Sequence, residues 1–580
     1  MGFKSKNILS FIFSSKLFRR WRYTFKQIFF LEVCLIGLTS GLSAVALKEG
    51  IDLVAEWRIS LAEQYNPLLI LPAIGLLGGL LSGLFVKRFA PSTSGGGIPQ
   101  VKAYVEGLPV IMNLRIAIVK LIGAVLVLGS GFTLGREGPT IQMSAACAVH
   151  LSNRFSHLSG LRRQIVAAGA GAGLAAAFSA PIAGVLFVVE DLRKDASSFT
   201  FGTAILGSFV GSVVARQLGA HVHIATDATN FTFLEIPFYI LLGSIIGLLG
   251  AIFNEGIIYS LKFYRTKLSL PFAVKVGLAG LITGIVLALL SPEFWIGERV
   301  LERVLDAENT QLATGTLFLQ FGLTIVGYGS GAPGGLFAPT LILGACVGHL
   351  VALLPEWLLG IDWQVAYALA GMGAFFCASI RVPITAIAII FEMTQDFNLV
   401  LPLMITCLCA YFIAEKLSPK SLYERLLNLN GIDLHSADDR APTSFIRLKA
   451  KNIMTKEVET LNHRMNMAQT IQIFAQSNHR GFPVLDDEDR LIGIVTQKDV
   501  NEFLWQQSIS AGVKPDRVLL SQIMTRSPIT IDVETPLLDA IEIIYERDFS
   551  RIPVMEGDRL VGLITRSDLI RAEANYIKEL

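Results

Sequence analysis

Residues 121–140, LIGAVLVLGSGFTLGREGPT, place one carboxylate, that of Glu137, directly behind an almost wholly apolar run. A charge inside a membrane is costly and usually functional. Gly138 lets the backbone approach a ligand, and Pro139 suits the first turn of a new helix, whose free N–H groups attract anions. Glu137 is therefore a candidate gate of an anion pathway, or else a helix cap or the ion-pair partner of Arg136.

The composition is that of a multi-pass membrane protein. The 580 residues are 52% hydrophobic and only 17% charged, and the mean hydropathy is +0.56. Of the 49 Lys and Arg and 47 Asp and Glu, 41 lie in residues 431–580, so a soluble tail follows a membrane body. A net charge of +2 without a basic face argues against a nucleic-acid partner. The six cysteines lack metal-ligand spacing, so we expect core thiols and no metal site.

The chain begins with a basic segment and continues with broken apolar runs. Residues 1–27 carry seven Lys and Arg, no acid and many aromatics within the first 26 positions, which is typical of a helix on the cytoplasmic membrane face. We therefore expect an integral protein of the plasma or inner membrane whose N-terminus is cytoplasmic. A continuous span needs about 20 apolar residues, so runs that Gly or Pro interrupts predict paired short helices or helices that stop inside the bilayer. The apolar runs are 28–47, 68–86, 114–132, 165–189, 201–218, 236–253, 272–290, 313–328, 335–354, 365–391 and 399–415.

Two of the breaks resemble each other chemically: residues 94–99, SGGGIP, and residues 330–339, SGAPGGLFAP. Each is a glycine-rich turn followed by Pro and an apolar helix. At mid-membrane depth their N–H groups would converge on a desolvated anion, as in transporters built from inverted repeats. Residues 329–334 also fit the dinucleotide pattern G-x-G-x-x-G, but no βαβ unit surrounds them.

Three motifs together resemble those of the CLC family of chloride channels and chloride/proton antiporters: GGGIP at 95–99, GREGP at 135–139 and GLFAP at 335–339. The likeness covers about residues 30–425. It implies an all-α membrane domain at residues 28–429, built from two inverted repeats of short, tilted helices. It also implies a homodimer with one anion pathway in each subunit.

The resemblance also assigns roles to single residues. Glu137 takes the position of the gating glutamate, and Asp191 takes that of the internal glutamate that transfers protons. Neighbouring helical positions differ by about 100°, so we expect only one of Glu190 and Asp191 to face the proton route, with Glu190 as a candidate helper. Alternatively, Arg193 and Lys194 neutralise both acids at the membrane surface. The anion-binding residues implied by the resemblance are Gly96, Gly97, Ile98, Leu336, Phe337, Ala338 and Tyr423, the last as a hydroxyl donor.

Gly96 departs from the family pattern. The family usually has Ser at this position, or Pro in some members that handle nitrate, so a hydroxyl donor is missing here. The loss of a hydrogen bond to a charged group costs about 1.5–3 kcal/mol unless water or backbone replaces it. Chloride is the first expectation, and nitrate or another small anion stays open.

These residues predict a transporter rather than an enzyme. Ionised, Glu137 would occupy the anion's own site, and protonated it would swing aside, so that anion and proton move in opposite directions. A passive voltage- or pH-gated chloride channel of the same fold is the alternative. A membrane enzyme or cation transporter is a third class, but the chain has no H-E-x-x-H metalloprotease motif and too few acids for a magnesium pathway.

The tail contains an internal repeat. After a linker at 430–445, the strings IMT, [FI]PV and G[IL][VI]T occur at 453, 482 and 493 and recur at 523, 552 and 562. They resemble a tandem pair of α/β CBS domains, at 446–510 and 511–580, which would lie in the cytoplasm and regulate transport. In that family the cleft between the repeats often binds an adenine nucleotide, ATP, ADP or AMP. The matching residues are Thr496, Asp499, Thr565 and Asp568, although T-x-x-D before a helix is equally a capping arrangement.

Overall fold

In the computed structural model the chain forms two compact units, Met1–Leu434 and His435–Leu580. The first is helical and the second is α/β, as the sequence predicts. The described residues are 7–108, 110–155, 159–193, 197–219, 224, 231–295, 301, 303–305, 310–360, 364–430, 432, 449–477, 479–509, 514–535, 540, 543–544, 549, 551–565 and 568. Most of the predicted linker therefore lies outside them.

The first unit consists of helices that follow the apolar runs, and among the described residues six are long and apolar enough to cross a membrane. The helices are α1 (Asn7–Gln64), α2 (Pro67–Phe89), α3 (Ile98–Val105), α4 (Leu114–Gly129), α5 (Glu137–Phe155), α6 (Ser159–Phe178), α7 (Pro181–Phe187), α8 (Ser198–Gln217), α9 (Ile236–Thr266), α10 (Phe272–Ala288), α11 (Thr310–Gly329), α12 (Phe337–Leu359), α13 (Gln364–Ile380), α14 (Pro383–Thr394), α15 (Val400–Leu417) and α16 (Leu422–Leu429).

Two long apolar runs are broken into helix pairs, as predicted. The run 165–189 divides into α6 and α7, and the run 365–391 divides into α13 and α14. At both corners a residue other than glycine adopts a left-handed conformation, with φ of 55° at Ser179 and 73° at Arg381. A proline follows two residues later and starts the next helix, where its missing N–H costs nothing.

The connection between α4 and α5 has a structural counterpart in the connection between α11 and α12. Both begin Gly-Ser-Gly, and their third residues, Gly131 and Gly331, have φ of 104° and 87°. In each loop the serine hydroxyl donates to a carbonyl three residues earlier. The counterpart of residues 329–337 is therefore 129–137, rather than the chemically similar turn at 94–99.

Glycines allow helices of the first unit to approach closely. A Cβ built at Gly75 of α2 would collide with the Gly280 carbonyl of α10, and one at Gly280 would collide with the Gly75 carbonyl. Gly344 of α12 and Gly371 of α13 stand in the same relation. Small residues at helix contacts give van der Waals packing where lipid provides no hydrophobic drive.

The second unit contains two small sheets. The first has strands β1 (Leu461–Asn462), β2 (Gly481–Leu485), β3 (Leu491–Thr496) and β4 (Thr525–Arg526), and the second has β5 (Ile531–Asp532), β6 (Arg551–Glu556) and β7 (Arg559–Thr565). In each sheet the first pair is parallel and the second is antiparallel. Helices α17 (Ala450–Ile453), α18 (Met467–Gln476) and α19 (Gln497–Ile509) accompany them.

Each repeat of the tail contributes its leading segment to the other repeat. Ala450 lies in the core of the second repeat, and its N–H donates to the carbonyl of Thr535 over 2.9 Å. Conversely, strand β4, which begins at the Thr of the second IMT string, pairs with β3 of the first repeat. Lys449 and Lys451 both bind Glu534 and lower the pKa of its carboxyl to about 2. The two repeats therefore fold as one unit.

Candidate anion and proton site

Helices α3 and α12 present uncapped N-termini. Gly97 precedes α3 with φ of 94°, Leu336 precedes α12, and neither helix start has a side-chain cap. The first hydrogen bonds within these helices reach the amides of Val101 and Thr340, so the amides of Gly97, Ile98, Phe337 and Ala338 come before them. Four of the predicted anion-binding residues therefore lie where backbone donors and a positive dipole end favour an anion.

A pair of backbone hydrogen bonds joins the two related loops. The Gly135 amide donates to the Gly335 carbonyl over 2.8 Å, and the Gly335 amide donates back over 2.6 Å. The two segments run antiparallel, so an approximate two-fold axis passes between them. A Cβ built on Gly138, at the start of α5, would lie 2.7 Å from the Gly96 carbonyl oxygen and 3.2 Å from the Gly335 Cα. Glycine at 138 is required because α5 meets both glycine-rich turns there.

Glu137 is the first residue of α5 and is buried, with 5% of its surface exposed. A side chain built on Gly135 would collide with the Glu137 carboxylate and come 3.1 Å from the amide nitrogen of Ala338. The carboxylate and the N-terminus of α12 therefore flank the same glycine. The structure brings the predicted gate to one of the two helix ends predicted to hold the anion.

Two buried tyrosines belong to this part of the protein. Tyr423 near the start of α16 is within electrostatic range of Tyr328, Asp191 and Glu137. Its hydroxyl is buried and has no hydrogen-bond partner among the described residues. The sequence indicated Tyr423 but not Tyr328, which lies next to the end of α11 and is 3% exposed. Tyr328 directly precedes the Gly-Ser-Gly loop, but the sequence alone does not show which residues it contacts.

The structure adds a wholly buried lysine, Lys120 of α4. Its ammonium group donates to the carbonyl oxygens of Thr93 over 2.9 Å and Gly95 over 2.5 Å. It therefore holds the turn that leads into α3, next to the predicted anion site. The sequence feature that could have indicated this residue is a single Lys inside the apolar run of α4.

Asp191 lies in the π-helical turn Val188–Arg193 that continues α7, and it is 4% exposed. Its Oδ1 accepts a hydrogen bond from Lys102 of α3, which is 2% exposed, and its Oδ2 has no hydrogen-bond partner among the described residues. The cation that pairs with Asp191 is thus Lys102, which sequence analysis missed. Lys194, one of the two cations proposed to neutralise this acid, lies outside the described residues.

Glu190 has a different environment from its neighbour. Its two oxygens accept from the amides of Ile384 and Thr385, at 3.0 and 2.7 Å, and so cap α14. In the other half, Glu392 accepts from the amides of Ile182 and Ala183, at 3.0 and 2.7 Å, and caps α7. Glu190 and Asp191 therefore separate, as their helical angle predicts, and the helper role of Glu190 stays a prediction.

In the tail, both T-x-x-D strings form the same local structure. The Oδ2 of Asp499 accepts from the Thr496 amide and hydroxyl over 2.7 and 2.8 Å. The Oδ2 of Asp568 accepts from the Thr565 amide and hydroxyl over 2.9 and 2.7 Å. Each is a capping arrangement, and in each repeat Oδ1 takes no part in these bonds.

Family models match both units. The model of the voltage gated chloride channel family matches residues 78–415, and the CBS domain model matches residues 450–506 and 520–575. These matches confirm the resemblance that the three membrane motifs and the repeated strings indicated.

Curated proteins and solved structures agree with these matches. An H⁺/Cl⁻ exchange transporter ClcA of Vibrio cholerae is 34% identical over 418 residues, which are 68% of this chain and 88% of that protein. The ClcA of Yersinia pestis is 35% identical over 423 residues, 69% and 87% of the two chains. A slow cyanobacterial Cl⁻/H⁺ antiporter has a TM-score of 0.65 at 32% identity and covers 69% of this chain and 97% of its own. A eukaryotic CLC transporter, with a TM-score of 0.62 at 22% identity, shares the fold over 93% of this chain and 98% of its own.

The buried pair of Lys102 and Asp191 predicts a specific pattern of stability. Replacing Lys102 by Met leaves the carboxylate of Asp191 buried without its partner, so we expect a loss of about 3–5 kcal/mol. The double variant Lys102→Met with Asp191→Leu removes both charges and should regain most of that loss. Unfolding of the purified protein in detergent measures both. A Lys102→Met protein as stable as the wild type, or a double variant no better than the single one, would contradict the pairing.

Proposed function

The chain belongs to the voltage gated chloride channel family, and from this premise we propose that it exchanges chloride for protons across a membrane. The 34% identical Vibrio cholerae relative carries that activity in its name. The observation that supports the proposal most directly is the place of Glu137, whose carboxylate lies beside the N-terminus of α12. An ionised carboxylate at an anion site competes with the anion for the same donors, and a proton removes this competition.

The exchange follows from the chemistry of that carboxylate. Ionised, Glu137 is held by the backbone donors and the positive dipole end of α12, and it excludes a second anion. Protonated, its carboxyl group accepts hydrogen bonds from these donors poorly and leaves the anion site open. Chloride then enters against the amides of Phe337 and Ala338. One group therefore carries the proton and admits the anion at different moments, and the two ions move in opposite directions.

Asp191 supplies protons to Glu137 in this proposal. It is buried, its Oδ2 lacks a partner among the described residues, and both it and Glu137 act electrostatically on Tyr423. Lys102 donates a hydrogen bond to Asp191, and arrival of a proton on this carboxyl group would weaken the pair. Since Lys102 belongs to α3, the protonation of Asp191 is transmitted directly to a helix whose N-terminus faces the anion.

The same ion pair favours a second candidate, passive chloride conduction. A carboxylate that stays paired with Lys102 would remain ionised and carry no proton. The protein would then conduct chloride without coupling, even though the acid is present. The fold and the anion site would be unchanged, so proton movement decides between the two candidates.

We also propose that two copies associate through a face made by α7, α8, α14 and α15. The reciprocal caps of Glu190 and Glu392 hold α7 and α14 together. Large apolar side chains cover the outer surface of these four helices: Ile182, Ile205, Phe209, Ile384, Leu401, Leu408 and Phe412 are all between 42% and 63% exposed. A homodimer would cover this face while each copy keeps its own anion path. The N-terminus and the tail of each copy would lie in the cytoplasm, in agreement with the basic residues 1–27.

The tail would bind an adenine nucleotide in this proposal. Asp499 and Asp568 each keep Oδ1 outside the capping bonds, so that this oxygen can accept from a ribose hydroxyl while Oδ2 continues to cap. Thr496 directly precedes α19, where backbone donors favour phosphate, and Thr565 ends β7 at the corresponding position of the second repeat. The nucleotide would then regulate transport rather than take part in it.

Replacing Glu137 by Gln should separate the two ion movements. The amide has the shape of the carboxyl group but does not titrate. Chloride flux should therefore persist while proton movement falls to the background of empty liposomes. Purified protein in liposomes, with chloride and pH recorded together, measures both. Glu63→Gln, which alters an exposed carboxylate near the end of α1, is the control and should behave as the wild type. Undiminished proton movement in Glu137→Gln would contradict the exchange mechanism.

Nucleotide binding is tested by calorimetry of the purified protein with ATP, ADP and AMP. We expect at least one to bind, and Asp499→Asn or Asp568→Asn to weaken it by about tenfold, because a hydrogen bond to a charged acceptor is lost. Asp516→Asn, an exposed acid of the same unit, should leave binding unchanged. Silence with all three nucleotides would show that the two Asp residues only cap their helices.

A further inference from the structure

We propose that the hydroxyl of Tyr328 supplies the side-chain donor that Gly96 lacks, and that it binds the transported anion together with the hydroxyl of Tyr423. This inference rests on the proposed function, because it concerns the same anion site. It assigns a binding role to a residue that belongs to none of the three glycine-rich motifs. It also explains how a site without a hydroxyl at position 96 holds a small anion.

The position of the Tyr328 hydroxyl is the first argument. A Cβ built on Gly96 would lie 3.4 Å from the hydroxyl oxygen of Tyr328 and 3.7 Å from Cε2 of its ring. A Cβ built on Gly95 would lie 3.7 Å from the same oxygen. The phenol therefore reaches, from the end of α11, the space into which a side chain at position 96 would extend.

The hydroxyl of Tyr328 borders the turn that leads into α3. Its oxygen lies beside the backbone of Gly96. A phenol has one proton to donate in addition to its acceptor sites. From this position the proton can be donated to a ligand held in the same turn. Gly97 and Ile98, whose amides would hold the anion, are the next two residues of the same turn.

Two phenols from different helices converge in this region. Tyr328 acts electrostatically on Tyr423, as does Glu137, so the two rings lie in the same neighbourhood as the gate. Both rings are almost fully buried, with 3% and 2% of their surfaces exposed. The Tyr423 hydroxyl has no hydrogen-bond partner among the described residues. A buried donor in this state is costly unless a ligand satisfies it.

The backbone does not require glycine at position 96. Gly95 and Gly97 have φ of 71° and 94°, whereas Gly96 is absent from the residues with positive φ. The contact of 3.4 Å that a Cβ would make with Tyr328 is an ordinary van der Waals distance. A serine therefore fits at this position, and the two ways of supplying a hydroxyl can be exchanged experimentally.

The test is chloride binding to the full-length protein, measured by calorimetry in detergent, together with chloride flux in liposomes. Tyr328→Phe keeps the ring and removes only the hydroxyl, so we expect chloride affinity to fall by about tenfold or more. Adding Gly96→Ser to Tyr328→Phe should recover most of the lost affinity. Tyr367→Phe is the control, because it removes the hydroxyl of a buried ring that stacks on Tyr239 at 4.3 Å.

The outcomes separate this inference from the proposed function. Unchanged chloride affinity in Tyr328→Phe, or a loss that Gly96→Ser leaves in place, would overturn the role of Tyr328 while chloride transport by the wild type stands. A wild-type protein that neither binds nor moves chloride would overturn the proposed function, and the role of Tyr328 with it. An equal loss in Tyr367→Phe would show a general effect of removing a buried hydroxyl, and would also overturn the assignment.

Discussion

The site depends on one contact, the pair of hydrogen bonds between Gly135 and Gly335. These bonds place the starts of α5 and α12 face to face, so that a carboxylate from one half lies at the helix N-terminus of the other. Unsatisfied backbone groups in lipid cost several kcal/mol each, which is why broken helices occur only where protein or a cavity surrounds them. Here each loop satisfies the other, and the helix ends beyond them keep amides for a ligand.

The same exchange between halves recurs away from the anion site. Glu190 caps the helix of the second half and Glu392 caps the helix of the first, with matching bond lengths. Both helices begin after a strained residue with positive φ, and the cap helps to hold that corner. Glu190 therefore has a structural task, whereas its neighbour Asp191 is tied by Lys102 to the helix that faces the anion. Two adjacent acids with different partners carry out two different tasks.

The sequence predicted those parts of the site that depend on local chemistry. Glycine-rich turns followed by Pro predicted the helix starts at 98 and 337. An isolated acid behind an apolar run indicated Glu137 as the candidate gate. The sequence did not reveal Lys102 as the partner of Asp191, or Tyr328 as a neighbour of Gly96, because both contacts join segments far apart in the chain. It also matched the turn at 330–339 with that at 94–99 on composition, whereas the dihedral angles match it with 129–137. The three repeated strings predicted the two tail repeats, but not the exchange of their leading segments.

In this mechanism the anion and the proton share one place in the protein and therefore move as a coupled pair. The most direct measurement is the reversal potential of the wild-type current across a planar bilayer with equal chloride on both sides and a pH gradient. Coupled exchange predicts a reversal potential that departs from zero and changes sign when the pH gradient is inverted. A current that reverses at zero potential under both gradients would contradict the account and identify a passive chloride pathway.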